Sequence, residues 1–312
     1  MRVLLTCPPM IGLVDEFRAD FEARGIELVV PDFVQVMSEE ALMDILPSCD
    51  GWIIGDDPAT AQVLEAGNDG KLVAAVKWGL GVDNVDFDAA RARGMSIVNT
   101  PTVFGNEVAD VAMAYVIGLA RETYLIDREV RAGGWPKPAG ISLEDKVAGV
   151  VGFGDIGRQV SRRLAVSGMT QIIYDPAYAD AEAQANLPVA TWPERLDELD
   201  FLVFVCALTA SNRHMLSADE IARLKPGVRI VTVARGPLID EAASIDGLET
   251  GAVHSAALDV MEIEPLPAGS KLRDYPHCIF GSHTASNTKD AVRRTSQLAM
   301  TSLFEFLGID DA

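Results

Sequence analysis

Along most of the chain, short apolar runs alternate with longer stretches in which apolar positions recur at the spacing of an amphipathic helix. Strand-length runs lie at 2–6, 27–30, 52–55, 72–76 and 96–99, with helical spacing between them at 15–23, 39–46, 59–66 and 87–93. A second series begins near Thr100 with a long helical pattern over 107–120 that continues to 131. It goes on through strand-like runs at 146–151, 171–174, 201–205, 229–233 and 256–260, with a helix at 156–166 and another at 289–307. Strand and helix in strict alternation predict parallel sheets covered on both faces, an α/β fold of two doubly wound domains. The halves share a plan and no repeated motif.

One glycine pattern separates the halves. In GVVGFGDIG, an apolar run leads into Gly152, Gly154 and Gly157, and helical spacing follows from Ile156. In a Rossmann-like dinucleotide fold the first glycine permits the tight turn, the second admits the pyrophosphate, and the third lets helix pack on strand. The helix N-terminus then turns unpaired N–H groups toward the phosphates. The next strand-like run ends in Asp175, at about the 20-residue offset of an acid that binds the adenosine ribose. Asp175 would repel a 2′-phosphate, and DPAYADAEA carries no Arg or Lys to offset it. NAD is therefore expected over NADP.

Composition narrows the function. A chain of 312 residues suits two domains, and 49% hydrophobic content supports sizeable cores. No apolar run approaches the roughly 18 residues needed to span a bilayer, and MRVLLTCPP enters a strand-like run without a cleavable signal pattern. A soluble cytoplasmic protein with no membrane partner is expected. A net charge of −20 argues against nucleic acid, which requires a basic surface. Cys7, Cys49, Cys206 and Cys278 form no CxxC pair, and no two of the four histidines have metal-ligand spacing, so no metal is expected. GGWPKPAG (133–140) and EPLPAG (264–269) read as surface connections.

Downstream of the glycines stand a cation, an acid and a titratable base: Arg235 in VARGPLIDE, Glu264 in ALDVMEIEP and His283 in FGSHTASNT. Singly, each has a plain reading: a surface ion pair, loop polarity, a turn residue. Together, behind a dinucleotide site, they suit hydride transfer to a ketone that carries a carboxylate. A planar guanidinium can hold carboxylate and ketone oxygen at once and stabilise charge that develops on the latter. A histidine oriented by a carboxylate can exchange the proton. His214, His254 and His277 fall outside this constellation.

The order of GxGxxG, Asp175, ARG at 234–236, the 259–265 stretch and His283 resembles the D-isomer-specific 2-hydroxy acid dehydrogenase family, in particular its phosphoglycerate dehydrogenase branch. KWGLGVDNVD (77–86), NTP (99–101) and RAGGW (131–135) look like further family segments, so the resemblance covers nearly the whole chain. It implies a substrate-binding domain from 1–98 and 288–312, an NAD-binding domain from 99–287 with a dimerisation arm at about 107–135, and an active site in the cleft between domains. Arg235, Glu264 and His283 are then catalytic. The implied cofactor contacts are Gly152, Gly154, Asp155, Ile156, Gly157, Asp175, Thr209, Ala234, Ala285 and Asp259, the last at the nicotinamide carboxamide.

Beside Arg235, the resemblance assigns substrate binding to Lys77, to the backbone N–H groups of Gly79, Leu80 and Gly81 as a small anion nest, and to Phe104, with Trp135 as a further apolar candidate. Lys77 stands where the branch carries Arg. After the third strand, where the branch has another Arg, this chain has Gly55, Asp56 and Asp57, and two carboxylates would repel a phosphate. The expected partner is a small 2-hydroxy or 2-oxo acid, and the apolar helix VADVAMAYVIGLA suggests a homodimer. No regulatory C-terminal domain is expected. Two other readings differ in what they would bind. A dinucleotide-gated dimer like the C-terminal-binding-protein corepressors would capture peptides without turnover, and a methyltransferase would prefer S-adenosylmethionine.

Overall fold

In the computed structural model, which describes residues 1–178 and 187–309, the chain forms two units: Met1–Phe104 with the segment from Asn287 onward, and Gly105–Ser286. The first unit is built on β1 (Arg2–Leu5), β2 (Glu27–Val29), β3 (Gly51–Ile54), β4 (Ala74–Lys77) and β5 (Ser96–Asn99). All pair in parallel, in the order β2-β1-β3-β4-β5. β3 and β4 are buried throughout, as expected of central strands covered on both faces. The covering helices are α1 (Pro8–Ile11), α2 (Val14–Ala23), α3 (Glu39–Ile45), α4 (Ala61–Gly70), α5 (Phe87–Ala92) and, late in the chain, α11 (Lys289–Phe306). Ser38, Thr60, Asp86 and Thr288 start α3, α4, α5 and α11 by accepting a backbone N–H from the first turn. Strand order reverses between β1 and β3. In an open parallel sheet that is where the carboxyl-end loops part to make a ligand crevice.

The second unit contains α6 (Gly105–Arg121), α7 (Thr123–Arg131), β6 (Val147–Val151), α8 (Asp155–Val166), β7 (Thr170–Tyr174), β8 (Phe201–Phe204), α9 (Ala218–Ile221), β9 (Val228–Thr232), α10 (Glu241–Thr250), β10 (Val253–Leu258) and β11 (Ile279–Phe280). Its parallel sheet runs β11-β10-β9-β8-β6-β7, and an isolated bridge between Ile173 and Val189 extends it beyond β7. Strand order reverses at β6, so the glycine loop leaves the sheet at the switch point.

One expectation needs correction. The helix expected through 131 breaks at Glu122, whose backbone is left-handed (φ 56°) and whose carboxylate meets His277 Nδ1 at 3.0 Å. That contact lies 155 residues away in sequence. The apolar stripe of α6 is mostly buried within its own unit, with Val108, Ala112, Val116 and Leu119 inside, so its hydrophobicity does not by itself require a second subunit. The short α9 and β11 and the small-residue helix α10 were not legible, since EAASIDGLET has too weak an apolar stripe to show a period.

Candidate active site

The glycine loop is shaped for close approach. Gly152 has φ 99°, and a side chain there would press on the backbone of Cys206 at 2.7 Å. α8 begins at Gly154 with no side chain capping its first turn, which leaves that helix end suited to an anion. Asp155 and Ile156 open the helix, half-buried, and Gly157 packs inward. Asp175, just past β7, accepts the Phe153 N–H at 2.6 Å and the Ala177 N–H at 2.8 Å. Its carboxylate is thereby tied to the loop that would carry the pyrophosphate. Part of the stretch after it, 179–186, lies outside the described residues. Thr209 is exposed in the loop after β8, its N–H donated to Asn212. Cys206 is half-buried beside Gly152, and burial pushes its thiol up to about 11, so it stays protonated.

At the carboxyl ends of β9 and β10, two loops interlock. Arg235 leads into a single 3-10 turn, Gly236–Leu238, and a side chain on Gly236 would overlap the Met261 backbone. The Arg235 guanidinium donates to the Ala234 carbonyl at 2.9 Å. In the facing loop, Glu264 accepts the Met261 N–H on Oε1 at 3.0 Å and meets His283 Nδ1 with Oε2 at 2.8 Å. One oxygen anchors the carboxylate and the other holds the imidazole. His283 is itself in the left-handed region (φ 56°) and donates its N–H to the Asp259 carbonyl at 2.7 Å. Asp259, assigned by resemblance to the nicotinamide, is 1% exposed. Its carboxylate accepts the N–H groups of Thr284 at 3.3 Å and Ala285 at 2.9 Å.

The first-unit candidates sit at the ends of β3 and β4 and beyond. Lys77 is 2% exposed and donates to the Gly55 carbonyl at 2.6 Å and to Asp56 at 3.2 Å. Its ammonium is held by Gly55 and Asp56. Asp57 is fully buried, accepts the N–H groups of Met37 at 2.9 Å and Gly55 at 3.3 Å, and is held above the usual carboxylate range by burial. Asp56 is partly exposed and pairs with Lys77. Gly79 gives its N–H to Thr100 at 2.7 Å, which removes one of the three donors of the expected nest. Leu80 is exposed and Gly81 half-buried. Phe104 is buried with its ring 5.3 Å from that of Trp78, a packing residue, while Trp135 is 78% exposed.

Similar proteins name the family. Residues 113–285 match the D-isomer specific 2-hydroxyacid dehydrogenase, NAD binding domain. The chain is 34% identical to a hydroxypyruvate reductase of Thermotoga maritima over 88% of this chain and 90% of that protein. It is 32% identical to a D-3-phosphoglycerate dehydrogenase of Mycobacterium leprae over 92% of this chain and 54% of that one. A glyoxylate reductase structure from Paecilomyes thermophila superposes with a TM-score of 0.81 at 28% identity, covering 96% and 93% of the two chains. The chain belongs to the D-isomer-specific 2-hydroxyacid dehydrogenases.

As a member of that family it is an oxidoreductase that uses a nicotinamide cofactor. Among the described residues of this dehydrogenase, no group of three His, Cys, Asp or Glu is placed to hold a metal ion, and no helix is long and apolar enough to cross a membrane. Sequence reasoning missed Tyr115 of α6, whose hydroxyl donates to Asp259 Oδ1 at 3.4 Å. An isolated Tyr within an apolar helical stripe gives no signal beyond core packing. It also passed over Glu262, which lies 2.6 Å from His214 Nε2 and 3.7 Å from Arg213, two residues before Glu264.

Proposed function

We propose that this dehydrogenase interconverts a small D-2-hydroxy acid and its 2-oxo acid with NAD, and that it is of the hydroxypyruvate/glyoxylate reductase type rather than the phosphoglycerate type. The observation that carries the reading is the 2.8 Å contact between Glu264 and His283 Nδ1, in a loop packed against the one that bears Arg235. Gly152, Gly154, Gly157 and the start of α8 would hold the pyrophosphate. Asp175 would take the ribose and disfavour a 2′-phosphate. Thr209, Ala234, Asp259 and Ala285 complete the cofactor contacts by resemblance. When bound, the nicotinamide supplies or accepts the hydride.

The chain's own groups do the rest. Arg235 grips the substrate carboxylate and the ketone oxygen, which fixes the carbonyl face and stabilises charge forming on that oxygen. Glu264 occupies Nδ1, so the imidazole presents Nε2 for the proton. His283 then gives the proton to the oxygen in reduction and takes it back in oxidation. The unit Gly105–Ser286 is assigned to the cofactor and the other to the acid. Support for a substrate with a single anionic group comes from the Lys77–Asp56 pair and from the 34% identical relative named hydroxypyruvate reductase. A homodimer is proposed on family resemblance and on the exposed Ile117, Tyr124, Val130 and Trp135 of the α6–α7 region.

The test is the initial rate of NADH oxidation with glyoxylate, hydroxypyruvate and phosphohydroxypyruvate. Glyoxylate or hydroxypyruvate should lead. A phosphorylated winner would overturn the substrate assignment. No turnover across the panel with NADH bound would favour the corepressor-like reading.

A further inference from the structure

We propose that Tyr115 is a positioning residue for the proton transfer, acting through Asp259 on the turn that carries His283. The inference rests on the proposed role of His283 and deepens it.

His283 needs support that its own sequence cannot supply. A residue with a Cβ at φ 56° is uncommon and holds only where its surroundings over-determine it. Here one residue does most of that work. Asp259 accepts the N–H of His283 on its carbonyl, and those of Thr284 and Ala285 on its two carboxylate oxygens. Three consecutive backbone donors thus converge on a single acid, and any shift of Asp259 is a shift of the imidazole.

The phenol of α6 reaches the same carboxylate. A buried carboxylate must have its lone pairs satisfied, and the side-chain donor that reaches it is Tyr115 Oη, 144 residues away in sequence. Burial, and then the neighbouring Asp259 charge, push the Tyr115 ionisation far above its usual range, so the hydroxyl keeps its proton and remains a donor. Gly281 completes the fit. A side chain there would overlap Asp259 Oδ1 and stand 2.5 Å from Tyr115 Oη, so only glycine lets phenol and carboxylate meet. Proton transfer depends on sub-ångström placement of donor and acceptor, so the loss of this contact should appear in turnover.

Tyr115→Phe keeps the ring and removes the donor. With hydroxypyruvate and NADH as the assayed pair, kcat should fall by about tenfold with the KM for hydroxypyruvate within about twofold, the pattern of a lost transition-state interaction. Backbone hydrogen exchange at 281–285 should quicken while α11 is unchanged. Gly281→Ala, which forces the same pair apart, should move both readouts in the same direction. Unchanged kcat overturns the proposal whatever exchange does, and a lower kcat with unchanged exchange overturns the route through the turn. A wild type inactive on every 2-oxo acid would instead sink the functional reading and the proton-transfer role with it. Quickened exchange in Tyr115→Phe would then still show the phenol holding the turn.

Discussion

The strand ends of the two units use charge in opposite ways. After β3 and β4, the charges close on one another: Lys77 is held by Gly55 and Asp56, and Asp57 is buried on backbone N–H groups. After β9 and β10, the carboxylates act on something else: Asp259 on the backbone of a turn, Glu264 on an imidazole ring. Both loops sit at the carboxyl edge of a parallel sheet, where topology opens a ligand crevice. Topology therefore locates a site, and the partner of each ionisable group decides whether it is a lock or a relay.

The comparison is most easily broken at the relay. His283→Ala should lower kcat by about 10³-fold, within the range for a lost general acid–base, with NADH affinity by fluorescence titration nearly unchanged. Full activity would remove His283 from the mechanism. Arg235→Ala should reduce kcat/KM for the 2-oxo acid by about 10²-fold, with a raised KM as well as a lower kcat. A variant with wild-type kcat/KM would show that Arg235 only packs.

Smaller effects sharpen it. Asp175→Ala removes the carboxylate that accepts the Phe153 N–H, and the ratio of kcat/KM for NADH over NADPH should drop by about tenfold. A constant ratio would take cofactor choice away from Asp175. On the lock side, Asp56→Asn leaves Lys77 without its carboxylate. The rate with phosphohydroxypyruvate relative to hydroxypyruvate should rise by about fivefold through lost repulsion. No change in that ratio would show that the pair does not read the substrate.

The smallest expected effect lies at the start of β10. Burial, and then Arg229, lower the His254 pKa, with Glu122 opposing and His277 adding to the shift. The folded state therefore takes up its proton below the unfolded value of about 6.5. The stability this represents is present above pH 6.5 and is lost as pH falls through the folded pKa. Between pH 7.5 and 5.5 the Tm of the wild type should fall slightly more than that of His254→Gln. Parallel slopes would count against a depressed pKa.

Much of the fold is legible because its signals are local. Most strands of both sheets are short apolar runs, and α3, α4, α5 and α11 start at Ser, Thr or Asp caps that need only three neighbouring residues to work. The glycine loop is legible for the same reason, since a backbone turn at φ 99° constrains the residue that makes it. Arg235, Glu264 and His283 stood out as residue types in order, and the contact between the last two spans 19 positions that the chain alone does not measure.

By itself, then, the sequence determined the α/β plan, the place of the dinucleotide loop and the kinds of side chain available for chemistry. These depend on backbone geometry and on periodicity within a few residues. Tertiary structure decided what each charge does. It broke the long helix at Glu122 against His277, paired Lys77 with Asp56 across 21 residues, buried Asp57, and brought Tyr115 onto Asp259 across 144. The reason is physical: the state and direction of a buried polar group are set by whichever donors and acceptors replace water around it, and those come from distant parts of the chain.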